Sequence, residues 1–224
     1  MKIKHFLLGT ILASVLLLSV RTSLAQTMRV SEQAEIKQLA SHTMPLSDRY
    51  AVPSVNNVFR DNILLTIAYM RGIVQQGKPI DWNSIEKPFT YSFTLQQGQT
   101  FAFHDGFLPQ FDGKVSITTH ADFGSDQSFK SDGYLIGDGV CHLASIMSWV
   151  AKDAGLKTTA LVNHDFANIP DVPKQYGVAI YDDKNSLSAS AMQNLYITNN
   201  KEYPVTFTFT FENNELIITA THTK

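Results

Sequence analysis

The stretch Ile136–Val150, IGDGVCHLASIMSWV, joins a glycine-rich turn to a helical pattern and contains the single cysteine of the 224-residue chain. Gly155 stands where such a helix commonly ends. One face of the helix collects apolar residues at the spacing of an amphipathic helix: Leu143, Ile146, Met147, Val150 and Ala154. The stretch therefore predicts a helix with Cys141 in its first turn.

Strands are predicted on both sides of this helix. Phe89–Gln96 alternates aromatic or aliphatic residues with polar ones, and Val205–Thr221 has the same alternation in two runs joined by a turn at residues 212–215. Alternation with period two is typical of half-buried strands, and two such runs indicate a hairpin. Shorter strands are expected at Thr100–Phe103, Val115–Thr119 and Lys157–Val162.

Two further helices are expected before the strands. Ser31–Ala40 starts with a good capping residue, and Phe59–Met70 places apolar residues on one helical face before Gly72. Helices mixed with mostly antiparallel strands indicate an α+β fold. We therefore predict a single domain with a central helix that carries the cysteine at its N-terminus.

Residues 1–25 have the pattern of a secretory signal peptide, with a basic start, an apolar run over Phe6–Val20 and small residues at Ser23–Ala25. A retained anchor is the alternative, but the apolar run is shorter than the about 20 residues that span a bilayer. We expect cleavage, a secreted or periplasmic location and no stable membrane anchor. Residues 26–55 form a predicted lead-in, and residues 56–224 form the main domain.

The mature chain would be acidic, because removing residues 1–25 leaves 15 basic and 20 acidic residues, a formal charge of −5. No basic patch suggests nucleic acid as a partner. An exported protein usually pairs its cysteines, so an unpaired thiol requires its own explanation. One explanation is an inert cysteine buried in the core.

The other explanation is a nucleophile. A thiol at a helix start faces free N–H groups, which favour the thiolate. The amides around Gly139, Val140 and His142 could also face a developing oxyanion, although the same glycines suit an ordinary tight turn.

A cysteine nucleophile needs a base, and His164 is favoured over His142 because a strand after the helix can return His164 to the helix start. Sequence leaves open whether Asp165, Asp182, Asp183 or an amide orients the imidazole. A structural histidine is the alternative for His164.

We expect no cofactor and no metal, because the chain has no paired cysteines, no histidines at i, i+4 and no calcium-loop pattern in residues 122–132. Aromatic residues near the proposed site are candidates for lining a substrate groove, with core packing as the alternative. They are Tyr134, Trp149 and Phe166.

Several segments resemble the VanW family. Leu95–Phe103, LQQGQTFAF, is similar to the family's PGE.FSFN segment, and Ile136–Ser145, IGDGVCHLAS, is similar to IGGGVCQVSS. Ala154–Leu156 and His164 match its RAGL and HNHS motifs, and Asn194–Val205 resembles DLKFKNN...YPV. The resemblance extends from about Asn56 to Thr221.

The resemblance implies a cell-envelope protein with L,D-transpeptidase activity, which forms 3-3 peptidoglycan cross-links through a cysteine acyl-enzyme. In this resemblance, Cys141 matches the position of the family's nucleophilic cysteine, and His164 matches the position of the histidine in its HNHS motif. The expected partner is therefore a peptidoglycan peptide or another envelope substrate. The chain differs from the family at His142, at Asp165 and at Gly177–Tyr181, where the aspartate of GRDATV has no counterpart.

Two alternatives stay open. A transglutaminase-like enzyme would also place a Gly-x-Cys motif before a helix ending in Ala-Gly-Leu, but its HAW tripeptide does not occur in this chain. A non-catalytic envelope module that binds stem peptides or a protein partner is the alternative from a different class.

Overall fold

The C-terminal hairpin forms the centre of a four-stranded antiparallel sheet with the order β1-β8-β7-β2. We describe the protein from a computed structural model that covers residues 35–133, 135–183 and 185–223. The predicted signal peptide and Tyr134 lie outside these residues. The sheet consists of β1 (Ile36–Pro45), β2 (Phe89–Leu95), β7 (Val205–Glu212) and β8 (Glu215–Thr223).

The alternating pattern of β7 sorts its side chains onto two faces. Phe207 and Phe209 are buried and lie opposite Phe93 and Tyr91 of β2. Each buried phenylalanine contributes about 2 kcal/mol through the apolar area it removes from water. On the other face hydroxyl groups pair across strands, as in the 2.8 Å hydrogen bond between Thr94 and Thr206. The predicted hairpin is therefore confirmed.

A second, smaller sheet has the order β4-β3-β6-β5. It contains β3 (Thr100–Ala102), β4 (Val115–Ile117), β5 (Lys157–Thr159) and β6 (Tyr196–Thr198). The β3–β4 pair is parallel, and the other two pairs are antiparallel. The three short strands predicted from the sequence exist as β3, β4 and β5, each shorter than expected, and β6 is an additional strand that was not predicted.

The helices are α1 (Pro53–Met70), α2 (Trp82–Ile85), α3 (Val140–Asp153) and α4 (Leu187–Met192). The long helix α1 begins at a proline, which is suited to the first helical position. The helix α3 packs against α1, β1, β8 and β5, so it lies at the centre of the domain core. Helices beside two mostly antiparallel sheets confirm the α+β class.

The helix predicted over Ser31–Ala40 is wrong where the structure describes it, because Ile36–Pro45 is the edge strand β1, and residues 31–34 lie outside the described residues. The segment contains good helix formers, but helix propensity amounts to only a few tenths of a kcal/mol for each residue. Pairing with β8 satisfies the main chain of β1 and buries Ala40 and Met44. Residues 36–45, within the segment expected to be a lead-in, thus form part of the main sheet.

Candidate active site

A cleft of about 640 Å³ opens beside the start of α3. Cys141, His142 and His164 all line it. The structure therefore brings the predicted nucleophile and the predicted base to one cleft. Apolar side chains that are largely exposed also line it: Leu135, Ile136, Phe166 and Tyr181.

Gly139 allows α1 and the start of α3 to approach each other closely. Its φ is 101°, and a Cβ at this position would lie 2.6 Å from the carbonyl oxygen of Phe59 in α1. A side chain here would therefore meet both backbone strain and a direct clash. Gly139 is required by packing at the entrance to α3.

The amides that follow Gly139 are largely engaged within the turn. The Val140 N–H donates to the Gly137 carbonyl, and the His142 N–H donates to the Gly139 carbonyl, each at 3.0 Å. The Cys141 amide faces its own sulfur and lowers the pKa of the thiol. Two of the three amides predicted as oxyanion donors, those of Val140 and His142, are therefore engaged within the turn, and the amide that acts on the sulfur is that of Cys141 itself.

The Cys141 thiol rests against the main chain of Ile180. The Ile180 N–H donates to Sγ at 3.3 Å, and Sγ lies 3.7 Å from the Ile180 carbonyl oxygen. Burial raises the pKa of Cys141 to about 11, the Ile180 N–H lowers it, and the charge of Asp138 raises it further. Burial outweighs the favourable amides, so the expected low pKa is wrong and the thiol is protonated at neutral pH.

His164 is buried, and one nitrogen of its ring is hydrogen-bonded to the main chain. Nδ1 lies 3.1 Å from the carbonyl oxygen of Ala167. Because a carbonyl oxygen accepts hydrogen bonds, Nδ1 carries the proton and Nε2 of the neutral ring keeps its lone pair. Burial lowers the pKa of His164, and the Ala167 carbonyl raises it in part. The imidazole is therefore neutral at pH 7 and can accept a proton at Nε2.

His142 has the opposite tautomer because of Arg49. The Arg49 Nη1 lies 2.9 Å from His142 Nδ1, and a guanidinium can only donate. His142 therefore carries its proton on Nε2. Burial and the positive charge of Arg49 hold the pKa of His142 well below its usual value. This geometry supports His164 as the base and leaves His142 as a neutral hydrogen-bond donor.

Arg49 is a site residue that sequence reasoning missed. Its side chain is 2 % exposed, and Nη2 donates to the Pro170 carbonyl at 2.7 Å. Nε is buried without a hydrogen-bond partner and lies 3.7 Å from a carboxylate oxygen of Asp171. A charged residue in a polar loop carries no local signal that it will be buried, so the sequence offered no means of finding it.

The three candidate aspartates have different surroundings. Asp165 is exposed, and its charge raises the pKa of His164, although the Ala167 carbonyl is the partner of Nδ1. Asp182 lines the cleft and lies 3.9 Å from Nδ1 of the buried His104. Asp183 accepts hydrogen bonds from the Tyr181 hydroxyl and the Asn185 N–H, which stabilise a turn.

The two described aromatic residues that were expected near the site, Phe166 and Trp149, differ in their position relative to the cleft. Phe166 lines the cleft, and its ring centroid is 4.0 Å from that of His164. Trp149 instead stacks on His42 with ring centroids 3.6 Å apart and on Tyr176 at 5.4 Å. Phe166 can therefore contact a ligand in the cleft. Trp149 is packed between His42 and Tyr176 and is not among the residues that line the cleft.

Within the described part of the chain, no group of three or more histidine, cysteine, aspartate or glutamate side chains could hold a metal ion. The helices over residues 35–133, 135–183 and 185–223 include none that is both long and apolar enough to cross a membrane. Comparison of the chain with protein-family models, curated proteins and solved structures finds no match.

Alkylation of Cys141 by iodoacetamide is expected to be slow at neutral pH and to accelerate about tenfold per pH unit. A pKa of about 11 leaves about one thiol in 10⁴ ionised at pH 7, compared with about 3 % for a free thiol of pKa about 8.5. Rates are measured by intact mass between pH 6 and 10, with glutathione as the reference thiol. A plateau below pH 8.5, with the fold intact by circular dichroism, would contradict a thiol that is protonated at neutral pH.

Proposed function

We propose that the protein is a secreted or periplasmic cysteine acyltransferase that acts on peptidoglycan stem peptides or another envelope peptide, in the manner of an L,D-transpeptidase. The resemblance to the VanW family suggests the substrate and the chemistry. The observation that supports it most is the cleft shared by Cys141 and His164, in which the Ala167 carbonyl leaves His164 Nε2 available as a base.

The resting site holds a neutral thiol and a neutral imidazole. The thiol has a pKa of about 11, and the pKa of His164 lies below its usual value near 6.5. Transfer of the proton before attack would therefore cost about 6 kcal/mol or more. The proton must move from Sγ to Nε2 as the sulfur attacks, when bond formation offsets this cost.

The acylation step can be written with all atoms balanced. Sγ of Cys141 forms a bond to the carbonyl carbon of the donor, and its proton passes to His164 Nε2. The carbon–nitrogen bond of the donor then breaks, and Nε2 returns the proton to the leaving amine. The thioester that remains is attacked by a second amine or by water, which gives a proton to Nε2. The carbon–sulfur bond breaks while the Ile180 N–H stabilises the charge of the departing sulfur, and Nε2 then returns the proton to the sulfur.

The rim of the cleft suits a peptide with apolar side chains. Leu135 is 63 % exposed, Ile136 is 52 % exposed and Phe166 is 70 % exposed. Solvated apolar side chains around a concave site gain free energy when a ligand covers them. Short alkyl groups such as those of alanine residues in a stem peptide would bind here.

Intact-mass analysis after incubation with tetrapeptide muropeptides or a carbapenem tests the proposal. We expect a covalent adduct whose mass equals the acyl group and which peptide mapping places on Cys141. The Cys141→Ala variant should form none. An adduct that forms equally on this variant would refute the assignment of the nucleophile.

The raised thiol pKa supports a second candidate, a binding module without catalysis. A thiol that rests on the Ile180 main chain and is protonated at neutral pH also fits a structural cysteine. This candidate predicts that stem peptides bind to the wild-type protein and to Cys141→Ala with equal affinity in calorimetry, and that neither protein forms an adduct.

A further inference from the structure

The ring of His142 is held in one orientation beside the proposed base. It packs on Phe59 and on His164, with ring centroids 4.8 Å and 6.1 Å apart, and the planes of the two histidine rings are inclined at 82°. The residue is 4 % exposed, and Arg49 Nη1 lies 2.9 Å from its Nδ1. Because packed side chains surround the ring, it cannot turn over without disturbing the start of α3.

Nε2 of His142 is the ring atom that remains for a ligand. Since Nδ1 accepts a hydrogen bond from Arg49, Nε2 carries the proton. Nε2 has no hydrogen-bond partner among the described residues, and it is not one of their buried side-chain atoms without a partner, which are Arg49 Nε, Ser148 Oγ and His222 Nδ1. This N–H is therefore accessible from the cleft that His142 lines.

Arg49 places a positive charge behind this N–H. Its side chain is 2 % exposed, and its ion-pair partner among the described residues is the half-exposed Asp171, 3.7 Å from Nε. A solvated carboxylate at this distance compensates a buried charge only in part. The guanidinium therefore polarises the imidazole, which makes Nε2–H of His142 a stronger donor to an oxygen that becomes negative. Arg49 does not line the cleft, so it acts on a ligand through His142.

The main chain near Cys141 leaves a need for such a donor. The Val140 and His142 amides donate to carbonyls of the turn, and the Ile180 N–H donates to the sulfur. A carbonyl under attack by a thiol develops negative charge on its oxygen, which hydrogen-bond donors in the site stabilise. The ring of His142 belongs to the residue directly after the nucleophile and lines the same cleft.

We propose that Arg49 and His142 form an oxyanion-stabilising pair, in which His142 Nε2–H donates to the oxygen of the attacked carbonyl and Arg49 fixes the tautomer that this requires. The proposal rests on the proposed acyltransferase function. As Sγ attacks, an electron pair of the carbonyl moves onto this oxygen, and it returns when the carbon–nitrogen bond breaks. His142 keeps its proton throughout, and His164 transfers the thiol proton to the leaving amine. Opposite tautomers thus give the two neutral histidines different roles.

His142→Leu tests the proposal with two reagents that react with the same sulfur. Acylation by a carbapenem passes through an oxyanion, whereas alkylation by iodoacetamide does not. We expect His142→Leu to slow acylation about 10²-fold, the usual effect of losing one oxyanion donor, and to leave the alkylation rate unchanged. His142→Gln should recover most of the acylation rate, because one amide can accept from Arg49 and donate into the cleft. His120→Leu, which changes an exposed histidine outside the cleft lining, should keep both rates.

Nitrogen-15 NMR of the free protein tests the tautomer without any reaction. The chemical shift separates a ring nitrogen that carries a proton from one that carries a lone pair, and the His142→Gln spectrum identifies the signals of His142. We expect the proton on Nε2 in wild type at pH 7, and a mixture of tautomers in Arg49→Met, whose apolar side chain has no donor. A proton on Nδ1 in wild type would overturn the proposal. An unchanged His142 tautomer in folded Arg49→Met would also overturn it.

The kinetic outcomes separate this proposal from the acyltransferase function. If wild type is acylated and His142→Leu is acylated at the same rate, His142 is not the oxyanion donor. If His142→Leu slows acylation and alkylation equally, His142 has only a structural role. If wild type forms no acyl-enzyme, the acyltransferase function itself is wrong, and the role of His142 in it is wrong whichever tautomer is observed.

Discussion

Cys141→Ala and His164→Ala are each expected to lower the rate of acyl transfer about 10⁴-fold or more, and the double variant should be no slower than the worse single variant. Nucleophile and base act as one unit, so removing either leaves the other without a role in the reaction. This non-additivity is strongest when the proton moves together with the attack, as the opposed pKa shifts of Cys141 and His164 require.

The measurement is the rate at which a stem-peptide donor is converted to transfer or hydrolysis products, followed by chromatography. Cys141→Ala removes one sulfur atom beside Ile180 and should cost about 1 kcal/mol of unfolding free energy, so the variant should stay folded. His120→Ala is the matched control for the histidine, since that side chain is 67 % exposed. It should retain wild-type activity.

Independent losses of activity in the two single variants would mean that Cys141 and His164 do not act as one unit. If the double variant were slower than either single variant by the product of the two losses, Cys141 and His164 would act in separate steps. If His164→Ala kept most of the activity while Cys141→Ala lost it, another group would have to take the thiol proton. His142 is poorly suited to that role, because Arg49 occupies its Nδ1.

The parts of the fold that sequence predicted are those with strong local periodicity. The stripe that includes Leu143 and Val150 places α3, and alternating phenylalanines place the β7–β8 hairpin, because only one backbone period buries each set on one face. The strand β1 was missed because its pairing with β8 depends on residues about 180 positions later, as in the Ile36–Thr223 pair. Local propensity contains no information about such a partner.

The candidate site shows the same limit. Residue types and spacing placed Cys141 and His164 on one cleft, because a helix followed by a returning strand brings its ends together. They could not give the sign of the thiol pKa shift, which depends on how the chain around Ile180 covers the sulfur. They also could not show that Ala167, rather than an aspartate, orients the imidazole, since any residue can supply a carbonyl.

Gly139→Ala is expected to destabilise the protein by about 4 kcal/mol, the largest effect on stability that we predict for a single methyl group. A residue with a side chain at this φ of 101° costs about 1–2 kcal/mol in backbone strain. The added Cβ would also lie 2.6 Å from the Phe59 carbonyl oxygen and 3.0 Å from its Cα, both in the main chain of α1. Because neither helix can yield locally, the start of α3 must shift and take Cys141 with it.

Gly133→Ala is the control that separates the steric clash with α1 from the backbone strain of a positive φ. Gly133 has a φ of 117°, and a Cβ there would meet nothing within 4 Å, so this variant should lose only about 1–2 kcal/mol. Urea unfolding followed by circular dichroism measures both variants against wild type. Equal losses in the two variants would mean that α1 and α3 do not pack through Gly139. A larger loss for Gly139→Ala, together with faster alkylation of Cys141, would show that this contact holds the thiol against the main chain of Ile180.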